Sequence, residues 1–141
     1  MSRRAGLFDA PLLAALHATS FPEPWDAEAF TILLAQPGVA GWIWGDPPRG
    51  LLLARAVADE AEILTVAVTP EARQQGGGRQ MIEDAVAALK QGGTGRLFLE
   101  VAADNTAALA LYRSRGFAPC GRRPGYYAGG ATDAVIMERA L

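Results

Sequence analysis

The sequence predicts an α/β (α+β) domain in which helices cover a mixed, mostly antiparallel sheet. Three observations carry that expectation. Between Val39 and Val68, short apolar or alternating runs follow one another with turn residues between them, the texture of an antiparallel meander. Segments with apolar residues at helical spacing flank these runs, the longest holding Met81, Ile82, Ala85, Val86 and Leu89. The 141 residues, 50% hydrophobic and 20% charged, are enough for one core and too few for two, so residues 1–141 read as a single domain.

Taken in order, Asp9 and Pro11 open a helix that runs to Ser20 and presents Leu12, Leu13, Ala15 and Leu16 on one face. Pro22 and Pro24 stiffen the turn that follows, because a residue before proline is driven out of the α region. Asp26 caps a second helix that reaches Ala35 and ends at Pro37-Gly38. Strands are expected at 39–44, 51–57 and 62–68, and the last is apolar on both faces, which places it centrally in the sheet. A helix from Gly76-Gly77-Gly78 to Gly92-Gly93, a strand at 96–101 and a helix from Asn105 to Arg115-Gly116 come next. Strands at 117–123 and 134–139 close the order, and a further short strand fits within residues 2–7.

Composition narrows the function. Thirteen Lys and Arg against fifteen Asp and Glu give a net charge of −2 without any block of like charge, which argues against binding nucleic acid or anionic lipid through counterion release. With Cys120 as the one cysteine and His17 as the one histidine, neither an internal disulfide nor a Cys/His metal site is expected. Cys120 reads as a buried or half-buried small residue and His17 as a helix residue without a role. No apolar run has the length to span a bilayer, and a cytoplasmic protein is expected.

One stretch carries chemistry. After the central strand come Thr69-Pro70, then Arg73, Gln74, Gln75, Gly76, Gly77, Gly78 and Arg79. Strand, glycine-rich turn and helix start aim several backbone N–H groups and the positive end of the helix dipole at one place, which suits a phosphate or pyrophosphate. No Lys-Ser/Thr pair follows, so it is not a Walker loop, and Met81 stands where a dinucleotide fingerprint needs its third glycine. On the glycines alone, a flexible helix entry fits as well.

Val68-x-Pro70-x-x-Arg73-Gln74-Gln75-Gly76-Gly77-Gly78-Arg79 resembles motif A of the GNAT acyltransferase superfamily. Leu99-Glu100-Val101, Asn105, Ala108, Leu111-Tyr112 and Gly116-Phe117, then Gly121-x-Arg123-x-x-Tyr126-Tyr127 and Asp133-Ala134, are similar to the branch that acetylates ribosomal-protein N-terminal alanine. The turn with Phe21, Pro22 and Trp25 resembles that branch too. The resemblance implies a sheet of six to seven strands with four helices, splayed between strands four and five, and acetyl coenzyme A as co-substrate. It places the coenzyme on the turn from Arg73 to Arg79, on the backbone of Val66, Ala67 and Val68, and on Asn105. A backbone N–H near those three strand residues is its implied oxyanion donor, beside a bulge that admits the thioester.

Amine acetylation needs a proton acceptor, oxyanion stabilisation and a proton for the departing thiolate. Glu100 is the one ionisable residue of its strand, and a carboxylate among apolar neighbours holds a proton more readily than one in water. Spacing alone equally allows a solvent-facing position, and the resemblance implies the proton acceptor. Tyr112 lies two helical turns after Asn105 on the same side of one helix. It is either a core aromatic or, as the resemblance implies, the donor to the leaving sulfur. Asn105 is expected to cap that helix. Tyr126 and Tyr127 fall in the connection between the last two strands, where an aromatic pair suits a peptide-binding rim or ordinary packing; the resemblance implies acceptor recognition. Trp42 and Trp44 read as core, and Trp25 as a candidate acceptor contact.

The chain departs from the branch pattern at Gly77, where an apolar residue is usual and a looser helix start is expected, at Ala102, at Thr132, and by one extra residue between Arg123 and Tyr126. The expected function is acetyl transfer from acetyl coenzyme A to a protein N-terminal α-amine, a ribosomal protein being the implied target, by a monomer or weak dimer. The alternatives are a small-molecule amine acetyltransferase and a non-catalytic coenzyme-A-binding module.

Overall fold

The computed structural model describes residues 2–141, apart from the Ala128 side chain. β1 (Ser2–Arg4) leads through a 3₁₀ turn (Leu7–Asp9) into α1 (Ala10–Ala18) and α2 (Ala27–Ala35). β2 (Val39–Trp44), β3 (Gly50–Val57) and β4 (Glu60–Val68) follow, then α3 (Gly77–Gln91), β5 (Arg96–Ala102), α4 (Thr106–Ser114), β6 (Ala118–Tyr127) and β7 (Thr132–Ala140). One seven-stranded sheet results, ordered β1-β2-β3-β4-β5-β7-β6, with β4 in the middle as its apolar sequence requires.

Local chemistry accounts for most boundaries. Asp26 Oδ1 accepts from Ala29 N–H at 2.9 Å and starts α2. Asp9 precedes α1 without capping it. Its carboxylate accepts instead from Gly6 N–H at 2.8 Å and pairs with Arg3 at 3.0 Å, and these two partners hold it below the usual carboxylate range. On α1 the buried face comprises Ala10, Leu13, Leu16 and His17, while Ala15 is exposed. Histidine therefore occupies the inward position that the apolar pattern had assigned to alanine.

Two clusters cover the sheet. On one side Met81, Ile82, Ala85 and Leu89 of α3 pack with Leu52, Leu97, Met137 and Tyr112; on the other, Leu13 and Phe30 pack with Ile43, Leu51 and Leu53. Each fully buried Leu, Ile or Phe contributes about 1.5–3 kcal/mol of transfer free energy.

The sheet has one break. β4 and β5 run parallel and pair only at Glu60–Arg96, Ala61–Leu97 and Glu62–Phe98. Against β3, Ile63 faces Ala54 while Thr65 faces Leu53, so Leu64 is an extra residue, a bulge. A period of two shifted by one residue exchanges faces. Ala61 and Ile63 point to the α3 side, Ala67 to the side of α1 and α2. Beyond Glu62 the β5-facing edge of β4 has no partner strand, which is the splay between strands four and five.

β6 is longer than expected and includes Tyr126 and Tyr127, pairing with β7 as the sheet's outer strand. Cys120 on that strand is exposed, not buried, because residues 118–126 all lie open to solvent. Trp42 and Trp44 are core residues, as expected.

Gly77 is packed, not loose. A Cβ built there meets three Trp44 ring atoms at 2.7, 2.8 and 2.9 Å, so the indole already fills the space that an apolar side chain would take. Gly77→Ala should therefore lower stability by about 1–3 kcal/mol, the usual cost of overpacking, seen as a lower midpoint in thermal or urea unfolding.

Candidate active site

The turn after β4 is a main-chain cradle. Gln74 (φ 65°) and Gly76 (φ 86°) both adopt the left-handed conformation, and for glutamine that costs about 1 kcal/mol or more. The first intrahelical bond of α3 runs from Gln80 N–H to Gly76 C=O at 2.9 Å, which leaves the amides of Gly77, Gly78 and Arg79 as the open first turn. No atom lies within 4 Å of a Cβ built on Gly76, so the mouth of the turn is open. Amides, helix dipole and space together suit a phosphate. Gly78 is close to α4: a Cβ there meets Leu111 Cδ2 at 3.0 Å.

The flanking side chains divide. Arg73 folds back, donating from Nε to Val68 C=O at 3.1 Å and from a terminal nitrogen to Ser20 Oγ at 3.1 Å. Gln74, Gln75 and Arg79 are exposed. Val66 and Val68 pack partly on the α3 side while Ala67 is buried on the other, so their main chain forms the β4 wall of the gap.

The gap opens on the α1/α2 side into a cleft of about 920 Å³ whose lining includes Phe21, Trp25, Leu64, Thr65, Glu100 and the Tyr126-Tyr127 pair. Glu100 reaches it by strand alternation: Leu97, Leu99 and Val101 turn to the α3 side, and Glu100 turns away from them. Its setting is not apolar. The Glu100 side chain is 28% exposed and forms an ion pair with Arg123, Nε to Oε1 2.8 Å, and the Arg123 guanidinium lies 5.5 Å from the Tyr126 ring centre.

Tyr112 sits on the α3 side, 7% exposed, its ring edge-on to Phe117 at 5.9 Å. Burial, assisted by Tyr127, pushes its phenol up to about 12. Tyr127 is itself raised, by burial and then by the charge of Glu100 and by Tyr126. Glu100 and Tyr112 thus lie on opposite faces of β5. Asn105 caps α4, its Oδ1 accepting from Ala108 N–H at 3.1 Å.

A model of the acetyltransferase (GNAT) family matches residues 10–117. The chain belongs to that family. It is 41% identical over 87 residues to the ribosomal protein bS18-alanine N-acetyltransferase of Escherichia coli (strain K12), a stretch covering 60% of this chain and 59% of that protein's length. It is 37% identical over 139 residues to N-alpha-acetyltransferase RimI of Mycobacterium tuberculosis, covering 93% and 86% of the two chains. The crystal structure of the ribosomal-protein-S18-alanine N-acetyltransferase from Escherichia coli superposes with a TM-score of 0.88 at 29% identity, covering 100% of this chain and 94% of that one.

In this GNAT chain the extra residue between Arg123 and Tyr126 falls where β6 leaves its register with β7. Gly125 (φ 64°) stands there, and its N–H donates to Asp133 Oδ1 at 2.8 Å. Two site residues escaped the sequence reading. Arg123 was visible only as part of a motif, since nothing in its spacing pairs it with Glu100. His17 had a signal: it follows Leu13 by four residues and precedes Phe21 by four, the stripe of one helical face.

His17 is 2% exposed, and burial pushes its imidazole down to about 4. Between pH 6.5 and pH 4 the unfolded chain therefore binds a proton that the folded chain refuses, so this contribution is complete above pH 6.5 and is lost as pH falls. Urea unfolding at pH 7 and pH 5 should show a loss of about 2 kcal/mol from this group, and His17→Gln should lack that component.

Proposed function

We propose that this chain is a single-domain, cytoplasmic N-acetyltransferase that moves acetyl from acetyl coenzyme A to the N-terminal α-amine of a protein. A ribosomal protein beginning with alanine is the favoured acceptor, by likeness to the Escherichia coli protein. The observation that carries the reading is the parting of β4 from β5 with an amide cradle at one end and a carboxylate on the opposite wall.

The cradle of Gln74 to Arg79 suits a pyrophosphate, and the unpaired main chain of Val66, Ala67 and Val68 suits an amide-bearing arm lying along it as an added strand would. Asn105, which caps α4, is the side chain assigned to the coenzyme by resemblance to the family. An α-amine with pKa of about 7.7–8.0 needs only a weak base, and Glu100 stands in the cleft to take the proton, directly or through water. Arg123 holds that carboxylate in place. Tyr112, its phenol pushed up to about 12 by burial, is protonated at every working pH and serves as the hydrogen-bond donor to the departing sulfur. Trp25, Tyr126 and Tyr127 form the rim that receives the peptide.

A second reading has one observation in its favour. Glu23, Asp59 and Glu60 line the cleft without an ion-pair partner among the described residues, which suits a polyamine.

Mass spectrometry of peptides incubated with the protein and acetyl coenzyme A separates these readings: acetylation at the α-amine of alanine-starting peptides supports the first, and transfer to polyamines alone overturns it. Glu100→Gln should lower kcat on the accepted peptide by about 10²–10⁴-fold while binding of the coenzyme, read by calorimetry, stays near wild type. Tyr112→Phe should lower the chemical step over the same range; full single-turnover rates in that variant would remove the phenol from the reaction.

A further inference from the structure

His17 and Thr65 form a buried pair that the reaction as described leaves unused. The imidazole is stacked between Phe21, with ring centres 4.1 Å apart, and Trp25 at 4.8 Å. The Trp25 main-chain N–H lies 3.1 Å from Nδ1, and an amide can only donate, so Nδ1 accepts. The ring is neutral, because burial pushes it down to about 4, and its single proton therefore sits on Nε2. Nε2 is 3.1 Å from Thr65 Oγ1, so the ring donates and the hydroxyl oxygen accepts.

That leaves the hydroxyl proton of Thr65. The residue is 8% exposed, and its hydroxyl makes no other hydrogen bond among the described residues. A buried O–H without an acceptor is costly unless a ligand supplies one. Thr65 is also the first residue past the bulge at Leu64, where the exchange of faces turns it to the α1/α2 side. It lines the β4 side of the cleft, and Glu100 lines the β5 side.

We infer that Thr65 donates a hydrogen bond to the carbonyl oxygen of the acceptor's first residue, oriented for it by His17, and thereby selects peptide α-amines over amines without such a carbonyl. The inference rests on the reading above and names what distinguishes its substrate class. A peptide α-amine carries a carbonyl one carbon beyond the carbon that bears the nitrogen; a polyamine or a lysine side chain does not. Thr65 on that carbonyl and Glu100 toward the amine locate the nitrogen from both walls of the gap. The other carbonyl within reach is that of the thioester, and the coenzyme kinetics tell the two apart.

The test compares an alanine-starting peptide with its analogue in which the first carbonyl is reduced to a methylene, using wild type, Thr65→Val and Thr65→Ser. Thr65→Val is expected to lose about 10–100-fold in kcat/KM on the parent peptide, to leave the analogue and the KM for acetyl coenzyme A unchanged, and to be rescued by Thr65→Ser. His17→Gln should lower the parent-to-analogue ratio by itself and leave it unchanged in the Thr65→Val background, as expected of a residue acting only through Thr65. Equal losses on both acceptors, a Thr65→Val enzyme within twofold of wild type, or a raised KM for acetyl coenzyme A overturn the inference while the proposed function stands. A wild type inert on peptides overturns both. Should Thr65→Val fail to fold, the same ratio measured on Thr65→Ala decides.

Discussion

The parallel ladder between β4 and β5 ends after three residue pairs, and the site exists because it ends there. Main-chain amides and carbonyls inside a sheet are expensive to leave unpaired, and an edge exposed in mid-sheet persists only where it borders open space or a ligand. The extra residue Leu64 sets up the break: it keeps β4 paired with β3 while changing which side chains face which layer. Before the bulge β4 serves the α3 core, and after it Thr65 and Ala67 serve the α1/α2 side. Glu100 turns to the cleft face of β5, while Tyr112 packs in the core on the other.

The cradle at the end of β4 depends on packing as much as on its glycines. Trp44 lies against Gly77 and Leu111 against Gly78, so the first turn of α3 is held from two directions. Met81 and Ile82 bury the next turn. A strained Gln74 and a left-handed Gly76 persist because the elements on either side are fixed. The same logic holds across the cleft, where one imidazole ties the turn bearing Phe21 and Trp25 to β4 through Trp25 N–H and Thr65.

Much of the fold was legible residue by residue. Asp26 and Asn105 cap the helices they were expected to cap, since a cap is a bond within one turn of chain. The meander at 39–68 was readable from its turns, and the central place of β4 from its run of apolar residues. Local rules failed where a distant partner competed. Asp9 faces Gly6 and Arg3 instead of capping α1, Cys120 is exposed because β6 is an outer strand, and Glu100 meets Arg123 instead of an apolar wall.

The sequence by itself determined the order of the elements, the family and the glycine turn, because periodicity, caps and left-handed turns are properties of neighbouring residues. Only the tertiary structure decided that the sheet parts at Glu62, that Trp44 fills the space above Gly77, and that His17 is hydrogen-bonded to Thr65. Those outcomes join residues some 30 to 50 positions apart in the chain, and no local preference encodes which of many distant partners a side chain will meet.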